Sequence, residues 1–278
     1  MINQSFYRTI ACVLAMIASA SLAVAGDIDV LIAEPASGSG PTFIGSVDKG
    51  TGDGDVDPSV RVFEAGMIVE EESPGEFVWE AEEPGFFTGS VGTTPVLPSG
   101  ASAASDGLTV SVFKRSFSVG GSALSDLFYW DGTGSVSFVP VGSSPAAGAS
   151  FELEPEGVLL NEFDDPAVIT GGLYDEHPDF LIETGGAAAE PGIYLASVEA
   201  QLQGFDLSEP IYLVFATLDP GFLGLDPSAG TTEVDEAAEL LLDPAVEWVQ
   251  ANVVVPEPSA SMLGLLAVTG VVAGRKRR

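Results

Sequence analysis

The sequence carries one cysteine in 278 residues, Cys12, and it falls in an apolar segment near the N-terminus. Disulfides therefore cannot hold the rest of the chain together, and the fold must rest on a packed core. Histidine is equally scarce, with His177 alone. A Ser–His–acid triad thus has a single candidate base, and a His-rich metal site is excluded. There is no Gly-x-Ser-x-Gly elbow, no phosphate-binding glycine loop and no dinucleotide fingerprint. Basic residues number nine against 41 acidic ones. Five of the nine lie at the ends of the chain, as Arg8, Arg275, Lys276, Arg277 and Arg278. Between residues 26 and 254 only Lys49, Arg61, Lys114 and Arg115 oppose 40 acidic side chains, a formal charge near −36. Such a surface repels nucleic acid and anionic lipid, attracts divalent cations and favours solubility. Long apolar runs are missing too: residues 10–18 and 260–274 both fall short of the roughly 20 that a straight transmembrane helix requires.

What the ends do contain is ordered. Arg8 precedes the first apolar run, which passes into small residues ending Ala23-Val24-Ala25. A basic start, a short apolar core and an A-x-A site make a secretory signal peptide over residues 1–25, with signal peptidase cutting between Ala25 and Gly26. At the other end, Pro256-Glu257-Pro258 is followed by the second apolar run and then by Arg275, Lys276, Arg277 and Arg278. The four cations hold the end of that segment on the cytoplasmic side of a membrane. Residues 255–278 resemble the PEP-CTERM sorting signal, which has these three parts in this order and accompanies an N-terminal signal peptide. The resemblance implies a Gram-negative host, often one that makes extracellular polysaccharide, and a substrate of exosortase, a membrane enzyme that cleaves near the Pro-Glu-Pro. It also implies transient anchoring in the inner membrane, then delivery to the cell surface or the medium.

Residues 26–254 form the acidic body. Turn-forming clusters at 35–41, 50–58, 89–107 and 142–150 separate short β-branched apolar runs. This pattern predicts an all-β fold, sandwich- or jelly-roll-like. The whole chain then adds a short helical segment near the C-terminus of the body, an N-terminal signal helix and a C-terminal hydrophobic helix. Residues 27–32 open the domain as a strand. Residues 108–112 alternate, and the phase flips by Phe117 and Val119, which places a bulge or turn near Lys114. Residues 194–202 carry apolar side chains at even positions, and their odd positions become polar from Ser197 onward, with Glu199 and Gln201, as in a half-buried strand. Residues 211–216 are apolar throughout, as in a strand covered on both faces. Residues 232–242 have a helical composition with Thr232 and Asp235 spaced as a capping box. Asp243-Pro244 reads as a second helix start, giving a helical hairpin or a kinked helix.

Two segments carry metal-type donors. Asp53, Asp55, Asp57, Ser59 and Glu64 follow the 1, 3, 5, 7, 12 spacing of a calcium loop, although Pro58 stands where that loop needs glycine. Asp175, His177 and Asp179 bring two carboxylates and the imidazole together within five residues, a donor set for zinc or another divalent ion. Aromatic residues at 128–130 and at Phe86-Phe87 are candidates for stacking on sugar rings, with core packing as the alternative. Paired-carboxylate glycosidase chemistry needs no local motif and stays open.

The body is also similar to a group of exported PEP-CTERM proteins under zinc-responsive repression. The likeness runs through Val60-Arg61-Val62-Phe63, Glu83-Pro84-Gly85-Phe86, Tyr129-Trp130-Asp131-Gly132 and His177-Pro178-Asp179-Phe180. It continues in Gly192-Ile193-Tyr194-Leu195, residues 208–215 and Glu247-Trp248-Val249. Where that group often has His-x-His, this chain has Asp175-Glu176-His177. The expectation is a non-enzymatic exported surface or extracellular-matrix protein. The alternatives are an exported calcium- or zinc-binding module and a protein that binds or acts on extracellular polysaccharide.

Overall fold

The computed structural model describes residues 28–48, 56–89, 96–159, 169–170, 174–185 and 187–253. The signal-peptide site (Ala23, Ala25, Gly26), the sorting segment with Pro256, Glu257, Pro258 and Arg275 to Arg278, and Asp53 and Asp55 lie outside the described residues.

Among the described residues the body is mostly β-sheet, with one α-helix near its C-terminal end. In chain order the strands are β1 (Ile28–Pro35), β2 (Phe43–Asp48), β3 (Val56–Asp57), β4 (Val62–Ser73), β5 (Glu76–Ala81), β6 (Phe86–Gly89), β7 (Ala101–Ser102) and β8 (Val110–Lys114). They continue as β9 (Leu127–Trp130), β10 (Val139–Pro140), β11 (Ser150–Glu154), β12 (Gly157–Val158), β13 (Tyr174–Glu176), β14 (Asp179–Glu183), β15 (Ile193–Leu202) and β16 (Ile211–Thr217). Helix α1 spans Thr231–Asn252. A six-stranded sheet has the order β13-β6-β1-β2-β3, with β7 on β1. A ten-stranded sheet has the order β10-β9-β15-β16-β4-β5-β14-β11, with β8 on β15 and β12 on β8. Most neighbours are antiparallel, but β1 runs parallel to β6 and β16 parallel to β4.

Period-2 alternation assigns the faces. From β1, Val30 and Ile32 join a core that also takes Tyr194, Ala196, Val198, Ala200 and Leu202 of β15 and Ile211, Leu213 and Phe215 of β16. Both sheets therefore contribute to one apolar cluster. The opposite faces of the same two long strands, with Ile193, Leu195, Tyr212, Val214 and Ala216, belong to a second cluster completed by α1. Strand β16 is buried throughout, as its composition predicts. Strand β15 is more buried than the half-buried expectation: of the odd positions predicted to be polar, Ser197 is buried, and only Glu199 and Gln201 reach partial exposure. Ser197 tolerates this because its hydroxyl donates to the Ile211 carbonyl at 2.9 Å. The phase flip near Lys114 has a direct counterpart. Val110 and Val112 enter the first cluster, β8 ends at Lys114, and Phe117 and Val119 enter the second.

Of the two alternatives at Asp243-Pro244, helix α1 excludes the helical hairpin. It is one helix of 22 residues with Pro244 inside it. Its N-cap is Gly230 with no side-chain cap bond, so Thr232 and Asp235 do not form the start. Val234, Ala238, Leu242, Ala245 and Val249 recur every three or four residues and make a continuous buried stripe. Proline in a helix interior costs about 3 kcal/mol. Docking of that stripe on β4 and β16 offsets the cost, and Leu240, whose carbonyl loses its partner to Pro244, is on the solvent side at 76% exposure.

The same docking half-buries Glu64 of β4 beneath the helix. Burial first, then the neighbouring Asp243 and Glu239 carboxylates, push its pKa above the ordinary value. A raised carboxyl pKa means the native state binds the proton more tightly than the unfolded chain. Stability from this site therefore rises as pH falls from neutrality through the raised value toward 4.5. Glu64→Gln, which is neutral at every pH, is expected to melt higher than the parent at pH 7, and the gap should shrink on acidification. A gap independent of pH would contradict this account of Glu64.

Candidate functional site

The main convergence of donor groups lies at one end of the six-stranded sheet, where β6 is flanked by β1 and β13. Parallel pairing sets Val30 beside Phe86, and antiparallel pairing sets Glu176 beside Phe86 and Asp175 beside Phe87. Asp29 precedes the first of these positions on one flank, and His177 follows β13 on the other. Gly85, directly before β6, lies between them.

Asp29 is fully buried, and its Oδ1 accepts a hydrogen bond from the Gly85 N–H at 3.0 Å. Glu83 Oε2 accepts from the same N–H at 3.1 Å, and Glu83 Oε1 lies 3.4 Å from His177 Nδ1. The other ring nitrogen, Nε2, is 3.6 Å from Asp175 Oδ1. The Glu82 carbonyl stands 3.2 Å from Nδ1. One ligand atom from each of Asp29, Glu83 and His177 lies within 4.8 Å of the others. Gly85 is a steric requirement here. A Cβ at that position would fall 2.6 Å from His177 Cε1 and 2.7 Å from Asp29 Oδ1, so any side chain would drive the ring and the carboxylate out of place. Pairing with Asp175, and after it with Glu83, outweighs the opposing effect of burial and pushes the imidazole pKa up to about 10. A bound cation would have to displace that proton.

The predicted set Asp175, His177 and Asp179 is split. Asp175 and His177 are two residues apart in extended backbone and share a face. Pro178 is buried at the crossing from β13, in the smaller sheet, to β14, in the larger. Asp179 therefore starts a strand of the other sheet and groups with Glu80 and Glu82 instead. Asp29 and Glu83 take the places that sequence proximity had suggested for Asp179. The sequence signal for Asp29 was a carboxylate directly before the apolar run Val30 to Ala33, and for Glu83 a carboxylate directly before a Pro-Gly pair.

The described part of the calcium-type loop runs from strand β3 into strand β4, whereas a calcium loop of that spacing sits between helices. Asp57 Oδ1 accepts from both the Ser59 N–H at 2.8 Å and the Ser59 hydroxyl at 2.6 Å, which lowers the Asp57 pKa. Glu64 is carried along β4 to the helix, as described above. The stacking candidates are core residues: Phe86, Phe87 and Phe128 are fully buried, and Tyr129 and Trp130 are 4% and 5% exposed. Trp130 Nε1 donates to the Thr133 carbonyl and the Tyr129 hydroxyl to the Pro191 carbonyl, so neither ring offers a free polar edge.

The three lysine and arginine side chains of the body among the described residues act as ties. Arg61 binds Glu209 through Nε and Nη2 at 2.9 and 2.7 Å, Lys114 contacts Glu152 and Glu156, and Arg115 contacts Glu199. Comparison with protein-family models, with curated proteins and with solved structures finds no match for this chain, so the reading of the site rests on its own residues.

Proposed function

We propose that this chain is a non-enzymatic exported protein of the cell surface or extracellular matrix, delivered by its signal peptide and processed by an exosortase. The observation that carries the reading is Pro256-Glu257-Pro258 followed by the apolar run 260–274 and by Arg275, Lys276, Arg277 and Arg278, in a chain that also has the Ala23-Val24-Ala25 cleavage pattern. Among the described residues no helix is long and apolar enough to cross a membrane. In this reading residues 260–274 provide the transient membrane attachment. The body has no cysteine, so its packed core depends on no disulfide and is compatible with an oxidising exterior. In this reading the two sheets pack as a β-sandwich, with the cluster they share as its interior and α1 as an outer cover.

The deciding experiment is the intact mass of the protein recovered from producing cells. The expected mass corresponds to a chain that begins at Gly26 and ends near Pro256-Glu257-Pro258, with or without an attached group. Replacing those three residues by alanine should leave the C-terminal segment in place. A wild-type mass that retains Arg275 to Arg278 would overturn the sorting proposal.

A further inference from the structure

We propose that Asp29, Glu83 and His177, with Asp175 at the rim, form a binding site for one zinc-class divalent cation. The inference is independent of the sorting segment and rests on the body alone. Four features support it. The donors come from three separate parts of the chain, and they meet only because β6 is inserted between β1 and β13. One of them, Asp29, is a carboxylate with no solvent exposure. Gly85 leaves open the space at the centre of the group, which a single Cβ would fill. The Glu82 carbonyl is placed to accept from Nδ1–H, the backbone contact that orients a ligating imidazole and directs Nε2 to a metal.

The chemistry of the set selects the ion. One imidazole with carboxylates suits zinc, whereas calcium takes six to eight oxygen ligands and gains nothing from a ring nitrogen. Zinc bonds of about 2.0–2.2 Å put ligand atoms about 3.3 Å apart. The donors, now within 4.8 Å, need to close by roughly an ångström and a half at most to meet that spacing. Glu83 and His177 are both partly exposed and can make that adjustment, while the backbone contact to Gly85 holds Asp29.

The test uses the full chain as exported, stripped with a chelator and titrated with zinc chloride by calorimetry, with thermal melts in parallel. One zinc per chain and a higher melting midpoint are expected, because a ligand that binds only the folded state stabilises it. Loss of an outer-shell partner alone weakens metal sites by about 10–100-fold, so His177→Gln and Glu83→Gln should each cost at least that much affinity. Glu83→Gln retains an oxygen that can accept from Gly85, which keeps the folded state accessible in at least one variant. Calcium chloride should not reproduce the midpoint shift through His177. The proposal fails if zinc does not bind, or if it binds the parent and both variants equally, which would assign it to the diffuse acidic surface.

Discussion

Phe215→Ala is expected to lower the free energy of unfolding by about 3–5 kcal/mol, the range for removing a large aromatic side chain from a packed interior. Phe215 is fully buried in the middle of β16, which has a hydrogen-bonded strand on each side, with Tyr194 of β15 and Ala65 of β4 in register. Its ring centroid lies 5.6 Å from that of Phe180 and 6.4 Å from that of Phe151. Those rings come from β14 and β11, at the far end of the same sheet, so the cavity left by alanine would be lined by strands that cannot close on it without breaking register. Against a typical total stability of about 5–15 kcal/mol, such a loss removes from about a fifth of the margin to all of it. Urea unfolding should show a lower midpoint with an unchanged slope. Phe215→Leu, which retains most of the volume, should cost less than about 1.5 kcal/mol. A Phe215→Ala variant as stable as the parent would mean that this cluster does not close the core.

Gly192→Ala should cost about 3 kcal/mol by overpacking, at the upper end of the usual range for an added methyl group. The backbone there is not in the left-handed region, so the penalty is steric and comes from one neighbour. An added Cβ would stand 2.2 Å from Tyr129 Cε2 and 2.8 Å from Cζ. Neither partner can retreat. The Gly192 N–H donates to Thr217 Oγ1 at 2.8 Å, and its carbonyl accepts from the Thr217 N–H at 3.1 Å. The Tyr129 hydroxyl donates to the Pro191 carbonyl at 3.0 Å, and its ring meets Tyr194 edge-on at 5.2 Å. Burial pushes the Tyr129 phenol up to about 12 and raises Tyr194 as well, so both stay protonated donors across the neutral range. A double-mutant cycle isolates the clash: in a Tyr129→Ala background, Gly192→Ala should cost far less than by itself. Equal costs in both backgrounds would remove Tyr129 from the explanation.

Legibility in the sequence followed the range of the interaction. The apolar run at β16 and the alternation in β15 identified both strands, because side-chain direction in extended backbone is a local property with period two. The phase flip after Lys114 was legible for the same reason. The polar odd positions of β15 pointed to an exposed face, yet α1 and the segment carrying Phe117 and Phe138 cover its first half. Apolar Ile193 and Leu195 on that half accept the cover, but which elements dock on them is decided elsewhere in the chain. The helix shows the opposite balance. Local chemistry at Asp243-Pro244 favours a new start, but burial of Ala245 and Val249 in line with Ala238 and Leu242 stabilises one uninterrupted helix.

By itself the sequence determined the β-rich class, the absence of disulfide support in the body, its acidic surface, the helix near its C-terminal end and the nearness of Asp175 to His177. Each follows from composition or from neighbours a few residues apart. Only the tertiary structure decided that Asp29 and Glu83 complete the group around His177, that Asp179 leaves it for the other sheet, and that Glu64 lies under the helix. Glu82, whose carbonyl contacts His177, is 95 residues away along the chain. Which distant strands become neighbours is set by the order of strands in the sheets and by the burial of their shared faces, and these are properties of the whole core, not of any local segment.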